Sequence, residues 1–219
     1  MKTAVKKIIV VLPAIVVSLF YFQILYHETY SGTSFKRVAG FILSVLLLYA
    51  WMFFVVLRRE QNNFLQIVIQ SSFFVYVFAV LQLTGYFILF KEISSHDWWS
   101  KMEHRIQVHD RVNFQPFKTI NIYDTFGKQV MGNFVMLLPL GIYLPLLYRK
   151  LRKATGFFAV LLISFLVSVG IEILQLATSY RSTDIDDVIL NTLGACAGFL
   201  VYLLIKSIVT SGNKNYSAV

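Results

Sequence analysis

The sequence predicts an all-α, polytopic membrane protein with six transmembrane helices and both termini in the cytoplasm. Three observations predict it. The 219 residues are 57% hydrophobic and only 14% charged, whereas a soluble domain carries about a quarter charged residues. Six apolar segments fall at about 8–26, 38–57, 64–90, 130–148, 156–177 and 188–209, each near or above the ~20 residues that cross ~30 Å of hydrocarbon as a helix. The polar connections between them carry their charge unevenly. The period-2 alternation of a barrel strand is absent, which leaves helix as the form that satisfies its own backbone in lipid. The length accommodates a single membrane domain, 1–219, and no separate soluble one.

Each segment takes its orientation from the charges beside it. Alternation from a cytoplasmic N-terminus puts Lys2, Lys6, Lys7, Arg58, Arg59, Arg149, Lys150, Arg152, Lys153, Lys206 and Lys214 on the inner side, against one acid, Glu60. The two short loops, RREQNN and YRKLRKAT, carry this signal most cleanly. The net charge of +9 therefore reads as topology and as contact with anionic headgroups, not as a nucleic-acid surface. The first segment follows MKTAVKK but is followed by no small-residue cleavage site, so it reads as a helix that stays and not as a signal peptide. The single cysteine, Cys196, excludes an intrachain disulfide or a cysteine metal site and reads as a small buried residue.

The first three segments are bulky and aromatic. The polar residues dotting the third, Gln66, Gln70, Ser71, Ser72 and Gln82, suit hydrogen bonds between helices. Residues 91–129 form the only long loop, placed outside. Trp98 and Trp99 suit the headgroup zone. Ile106, Val108, Val112 and Phe114, mixed with His and Arg, suggest a piece lying on the outer membrane surface, and Pro116 interrupts any helix there. His96, His104 and His109 fit no standard metal spacing and read as solvated surface residues.

The fifth segment holds the most informative residue, Glu172. A carboxylate in such a segment costs ~2.5–3.5 kcal/mol on insertion scales, so it is usually paired, pore-facing or functional. Ser164, Ser168, Glu172 and Gln175 follow helical spacing onto one face, a polar stripe predicted to face the bundle interior. Glu172 lies ~8 Å below the segment's outer end at the helical rise. Arg181 follows, then Thr183 and Asp184 as N-cap candidates for the sixth segment, with Asp186 and Asp187 placed for the positive end of its dipole. Capping explains one or two of these acids, not three beside Glu172. Asp187 and Asn191 share a face, and Gly194 and Gly198 form a GxxxG further along it, so that face is expected to pack closely. On the fourth segment Asn133 lies level with the acids, and Pro139, Gly141 and Pro145 are expected to weaken the helix. A functional site is therefore placed on Asn133, Glu172, Gln175, Arg181, Asp184, Asp186, Asp187 and Asn191. The bland alternative is a structural ion-pair network around Arg181, a costly way to join two helices.

Three stretches, VNFQPFKTI (112–120), GNFVMLLPLGIYLPLL (132–147) and IEILQLATSYRSTDIDDVILNTLGACAG (171–198), resemble the blocks of the VanZ-like family. That family's founding member is linked to resistance to the glycopeptide teicoplanin. The resemblance covers the C-terminal half and keeps every signature position. It implies an integral, multi-pass membrane protein of a bacterial cell envelope; the partners this suggests for testing are membrane lipid, a cell-wall precursor lipid or a glycopeptide.

The residues leave three mechanisms open. In an enzyme acting on an envelope lipid at the outer leaflet, Glu172 serves as general acid or base beside Asp187. Arg181 then holds a phosphate or carboxylate, with Asn133, Gln175, Asp184, Asp186 and Asn191 binding substrate. Asp184, Asp186 and Asp187 supply oxygen ligands suited to Mg²⁺ or Ca²⁺. In a transporter or flippase Glu172 couples protons, although the inner halves of the last three segments offer few polar groups. In a non-catalytic binder the outer loop captures the drug or shields a precursor.

Overall fold

In a computed structural model the chain is described over residues 64–93, 95–108, 110–119, 127–178 and 182–216, and at the isolated positions Val5, Leu12, Ile15, Ile42, Leu46 and Ala50. The first two predicted segments, 8–26 and 38–57, lie outside the described residues apart from those positions. The main elements are α1 (Phe64–Leu83), α2 (Tyr86–Glu92), α3 (Trp98–Gln107), β1 (Val112–Asn113), α4 (Lys128–Leu147), α5 (Phe157–Leu176), β2 (Thr183–Asp184) and α6 (Ile185–Tyr216). Four stretches are long and apolar enough to cross a membrane: Phe64–Leu83, Gln129–Leu147, Ala154–Leu176 and Ile185–Ser211.

The chain divides into two compact units. The first comprises Met1–Asp110 with Leu174–Arg181. Within it, α1 buries Ile67, Gln70, Ser71, Phe74 and Phe78, a spacing of three and four that keeps one helix face inward. Leu65, Val68, Val75 and Leu83 are exposed, as lipid-facing residues should be. The segment 64–90 is not one helix, as its hydrophobicity suggests. It breaks at Gly85, whose φ of 77° lies in the left-handed region that glycine enters without a Cβ penalty. The described residues of the stretch 91–129 are not all loop. They contain α3, and α3 is tied to the end of α5. Trp98 Nε1 donates to the Ala177 carbonyl (2.7 Å), and Arg105 Nη1 donates to the carbonyls of Leu176 (3.0 Å) and Thr178 (2.6 Å). A helix end leaves its last carbonyls without intrahelical donors, and these two side chains supply them.

The second unit comprises Arg111–Ile173 with Ser182–Val219. Its framework is the packing of α4 on α6. Gly194 and Gly198 of α6 and Gly141 of α4 bring the two backbones together. A Cβ at Gly194 would lie 1.8 Å from the Phe134 carbonyl oxygen, one at Gly198 2.0 Å from that of Leu138, and one at Gly141 1.9 Å from that of Ala195. Small residues at such crossings let membrane helices reach van der Waals contact, which drives their association where lipid removes the hydrophobic incentive. The helix α4 runs unbroken through Pro139 and Pro145, so the predicted weakening leaves its extent intact. Arg152 caps its end, donating to the carbonyls of Pro145 and Leu146 (both 3.0 Å). Phe157 of α5 meets Phe199 of α6 with ring centroids 6.1 Å apart. A two-stranded parallel pairing of β1 and β2 sets Val112 opposite Thr183 and Asn113 opposite Asp184, a small exception to an all-helical reading.

Candidate functional site

The polar stripe of α5 is buried as its spacing predicts. Ser164 and Ser168 are wholly inaccessible, and Glu172 and Gln175 nearly so. Asn191 of α6, also inaccessible, donates through Nδ2 to Ser168 Oγ (3.0 Å). The two helices are thus joined by a neutral polar pair in their interior, where an unmade hydrogen bond is expensive.

The acids gather where α6 begins. Asp184 precedes the helix and its Oδ1 accepts the N–H of Asp186 (2.9 Å), the N-cap geometry that satisfies one of the helix's first orphan donors. Asp186 and Asp187 occupy the first turn. Glu172, near the end of α5, accepts the Asp184 N–H at Oε2 (2.9 Å), so a side chain of one spanning helix fixes the entry of the chain into the next. The Glu172 carbonyl accepts from Thr183 Oγ1 (3.4 Å).

Asp184 and Asp186 then reach back some seventy residues to β1 and the segment after it. Asn113 Nδ2 donates to Asp184 Oδ1 (2.9 Å), and Thr119 Oγ1 donates to Asp184 Oδ2 over a short distance. The N–H groups of Phe117 and Thr119 donate to Asp186 Oδ1 (2.5 Å) and Oδ2 (2.8 Å). Charge-assisted bonds of this kind are roughly twice as strong as neutral ones. Here they close loop 113–119 onto the start of α6. The loop needs such a clamp. Arg111 (φ 56°) and Phe117 (φ 64°) are the non-glycine residues with positive φ among the described residues, and that conformation costs an L-residue about 1–2 kcal/mol. While its backbone is held, the loop turns Phe114 and Phe117 outward, each 56% exposed.

The structure thus brings together Glu172, Asp184 and Asp186, with Asp187 buried beside them in the same helical turn. Asn191 is drawn to Ser168, deeper along α5. Asn133 is half-buried near the start of α4 and enters none of these bonds. Arg181 lies outside the described residues, as does His109. Among the described residues no group of three or more His, Cys, Asp and Glu side chains is placed to hold a metal ion. The oxygens of Asp184 and Asp186 accept from N–H and O–H donors of the chain.

Sequence reasoning missed the donors. Asn113 and Thr119 sit in a stretch that reads as a piece lying on the outer membrane surface, and the pairing of β1 with β2 reveals their role. Arg105 was also missed. A cation 7% exposed in an amphipathic surface helix gives no sequence signal beyond its place in the last turn.

The stretches 112–120, 132–147 and 171–198 all contribute to this arrangement. The first gives the loop, the second the helix that receives Gly194 and Gly198, and the third the acids and those glycines. Comparison with curated proteins and with solved structures gives no match. The family model for VanZ/LLP1 matches residues 73–206, from the middle of α1 through most of α6, and the chain belongs to that family.

Proposed function

We propose that this protein is a multi-pass protein of the bacterial cell membrane that contributes to resistance against teicoplanin-type glycopeptides. It does so by binding an envelope lipid or cell-wall precursor at the outer leaflet. The observation that carries this reading is the clamp. Asp184 and Asp186 are buried and spend their oxygens on loop 113–119, and the loop faces outward with two aromatic side chains. Carboxylates so engaged hold a surface in place. In this reading Glu172 supports the clamp through the Asp184 N–H, and the ligand meets the loop.

A second reading makes Glu172 and Asp187 the acting groups on the lipid, with Arg181 holding its anionic part. What favours it is that two further carboxylates lie buried at the same helix ends, at a depth where such groups are usually functional. The two readings separate in a glycopeptide-sensitive bacterium expressing wild type, Glu172→Gln or Phe114→Ser with Phe117→Asn, at matched membrane levels. Binding by the loop predicts that the aromatic double variant loses protection against teicoplanin while Glu172→Gln, whose amide oxygen can still accept the Asp184 N–H, keeps it. The opposite pattern overturns the binding reading in favour of direct chemistry at Glu172.

A further inference from the structure

We infer that the ligand of loop 111–118 is a membrane lipid with an anionic phosphate headgroup, an assignment that rests on the binding reading above. The first support is position. The loop is bonded to Asp184 and Asp186, and the span Ile185–Ser211 begins there. A loop fixed to the first residues of a spanning helix lies at the level of the headgroups, where aromatic side chains settle with their rings toward the hydrocarbon.

The second support is charge. Arg111 and Lys118 are exposed at the two ends of the loop, and residues 111–119 contain no acid. The adjacent exposed acid is Asp110. Two cations bracketing two aromatic rings complement a phosphate joined to a long apolar chain. Arg and Lys near a membrane surface each favour anionic headgroups, and Arg can bind phosphate through two parallel bonds. Inorganic phosphate would leave Phe114 and Phe117 without a role, so the occupant is a lipid and not the free ion.

The third support is strain. A turn at Arg111 and Phe117 would form more readily with glycine or asparagine, which enter the left-handed region at little cost. The chain instead places there a cation and an aromatic ring, and holds the second with the Asp186 carboxylate. Backbone held in an unfavourable conformation by its surroundings marks places where side-chain direction matters. Here both side chains, Arg111 and Phe117, are exposed.

The test uses the full chain in nanodiscs of phosphatidylcholine containing either phosphatidic acid or a long-chain polyprenyl monophosphate. Retained lipid is read by native mass spectrometry. Wild type is expected to enrich the anionic phosphate lipids over phosphatidylcholine. Arg111→Asn with Lys118→Gln is expected to lower that enrichment about ten- to thirtyfold, the effect of removing two cations from an anionic headgroup. Phe114→Ser with Phe117→Asn is expected to lower it as well, and Lys101→Gln, a cation outside the loop, to leave it unchanged. No enrichment by wild type, equal enrichment by the loop variants, or displacement of the lipid by millimolar inorganic phosphate overturns the assignment. If enrichment fails while the aromatic variant still loses teicoplanin protection, the binding reading stands and the phosphate class falls. If enrichment holds and protection is untouched, the lipid site stands and the resistance role falls.

Discussion

The packing of α4 on α6 makes a quantitative prediction about five glycines. Alanine at Gly194 puts a Cβ 1.8 Å from the Phe134 carbonyl oxygen, at Gly198 2.0 Å from that of Leu138, and at Gly141 1.9 Å from that of Ala195. Ordinary contact begins near 3.4 Å, so in each case the helices must part by more than an ångström. The obstacle is main chain, which cannot rotate aside as a side chain can. Overpacking costs about 1–3 kcal/mol, and a backbone clash belongs at the upper end. Removing a helical glycine returns about 0.5–1 kcal/mol, leaving a net loss of about 2 kcal/mol. For a chain of this size that lowers the melting temperature by about 4–8 °C. Gly132 and Gly170 lie in α4 and α5 with no atom within 4 Å of their would-be Cβ among the described residues, so alanine there is expected to hold or raise the melting temperature by about 1–3 °C. Thermal melts followed by fluorescence-detected size exclusion in one detergent compare all five variants. If Gly194→Ala and Gly198→Ala melt with Gly132→Ala and Gly170→Ala, the close crossing of α4 and α6 is wrong.

Three other substitutions probe the remaining bonds. Asp186→Asn turns an amide nitrogen toward a main-chain N–H of Phe117 or Thr119, strands one of these donors at about 1–3 kcal/mol, and should make residues 111–119 cleavable in limited proteolysis that spares the wild type. Arg105→Met deprives the carbonyls of Leu176 and Thr178 of their donor and should cost about 1–3 kcal/mol in thermal melts, whereas Lys101→Gln, which breaks only an exposed pair with Asp97, should leave the melt unchanged. Ser168→Ala removes the acceptor of the buried Asn191 amide and should destabilise by about 1–3 kcal/mol; Ser164→Ala, whose hydroxyl donates to the Leu161 carbonyl of its own helix, should stay near wild type in the same assay.

What was legible in the sequence followed from periodicity and from cost. The spans at 130–148, 156–177 and 188–209 are written as unbroken apolar runs, and the structure moves their ends by only a few residues except at the last, which runs on to Tyr216. The buried stripe of Ser164, Ser168, Glu172 and Gln175 was legible because lipid penalises polar groups and the spacing allows one buried face. The cap at Asp184 was legible from its place before an apolar run. The partners of these groups were not. Nothing local in Asn113, Phe117 or Thr119 announces an acid some seventy residues away, since the bond depends on β1 meeting β2. The break at Gly85 was hidden because an isolated glycine inside a hydrophobic run is common in membrane helices. The inner position of Arg105 was hidden because its partners are main-chain carbonyls, which leave no mark in a sequence.

We propose that buried acids hold loop 111–118 on the outer face of the membrane, where a ligand can reach it. Phe114→Cys tests it most directly in intact cells, with a maleimide that cannot cross the membrane. The native Cys196 is buried and supplies a silent background. Residue 114 is expected to label rapidly in intact cells, and no faster after permeabilisation. Labelling that appears only once the membrane is opened would place the loop on the inner face and overturn the outer placement.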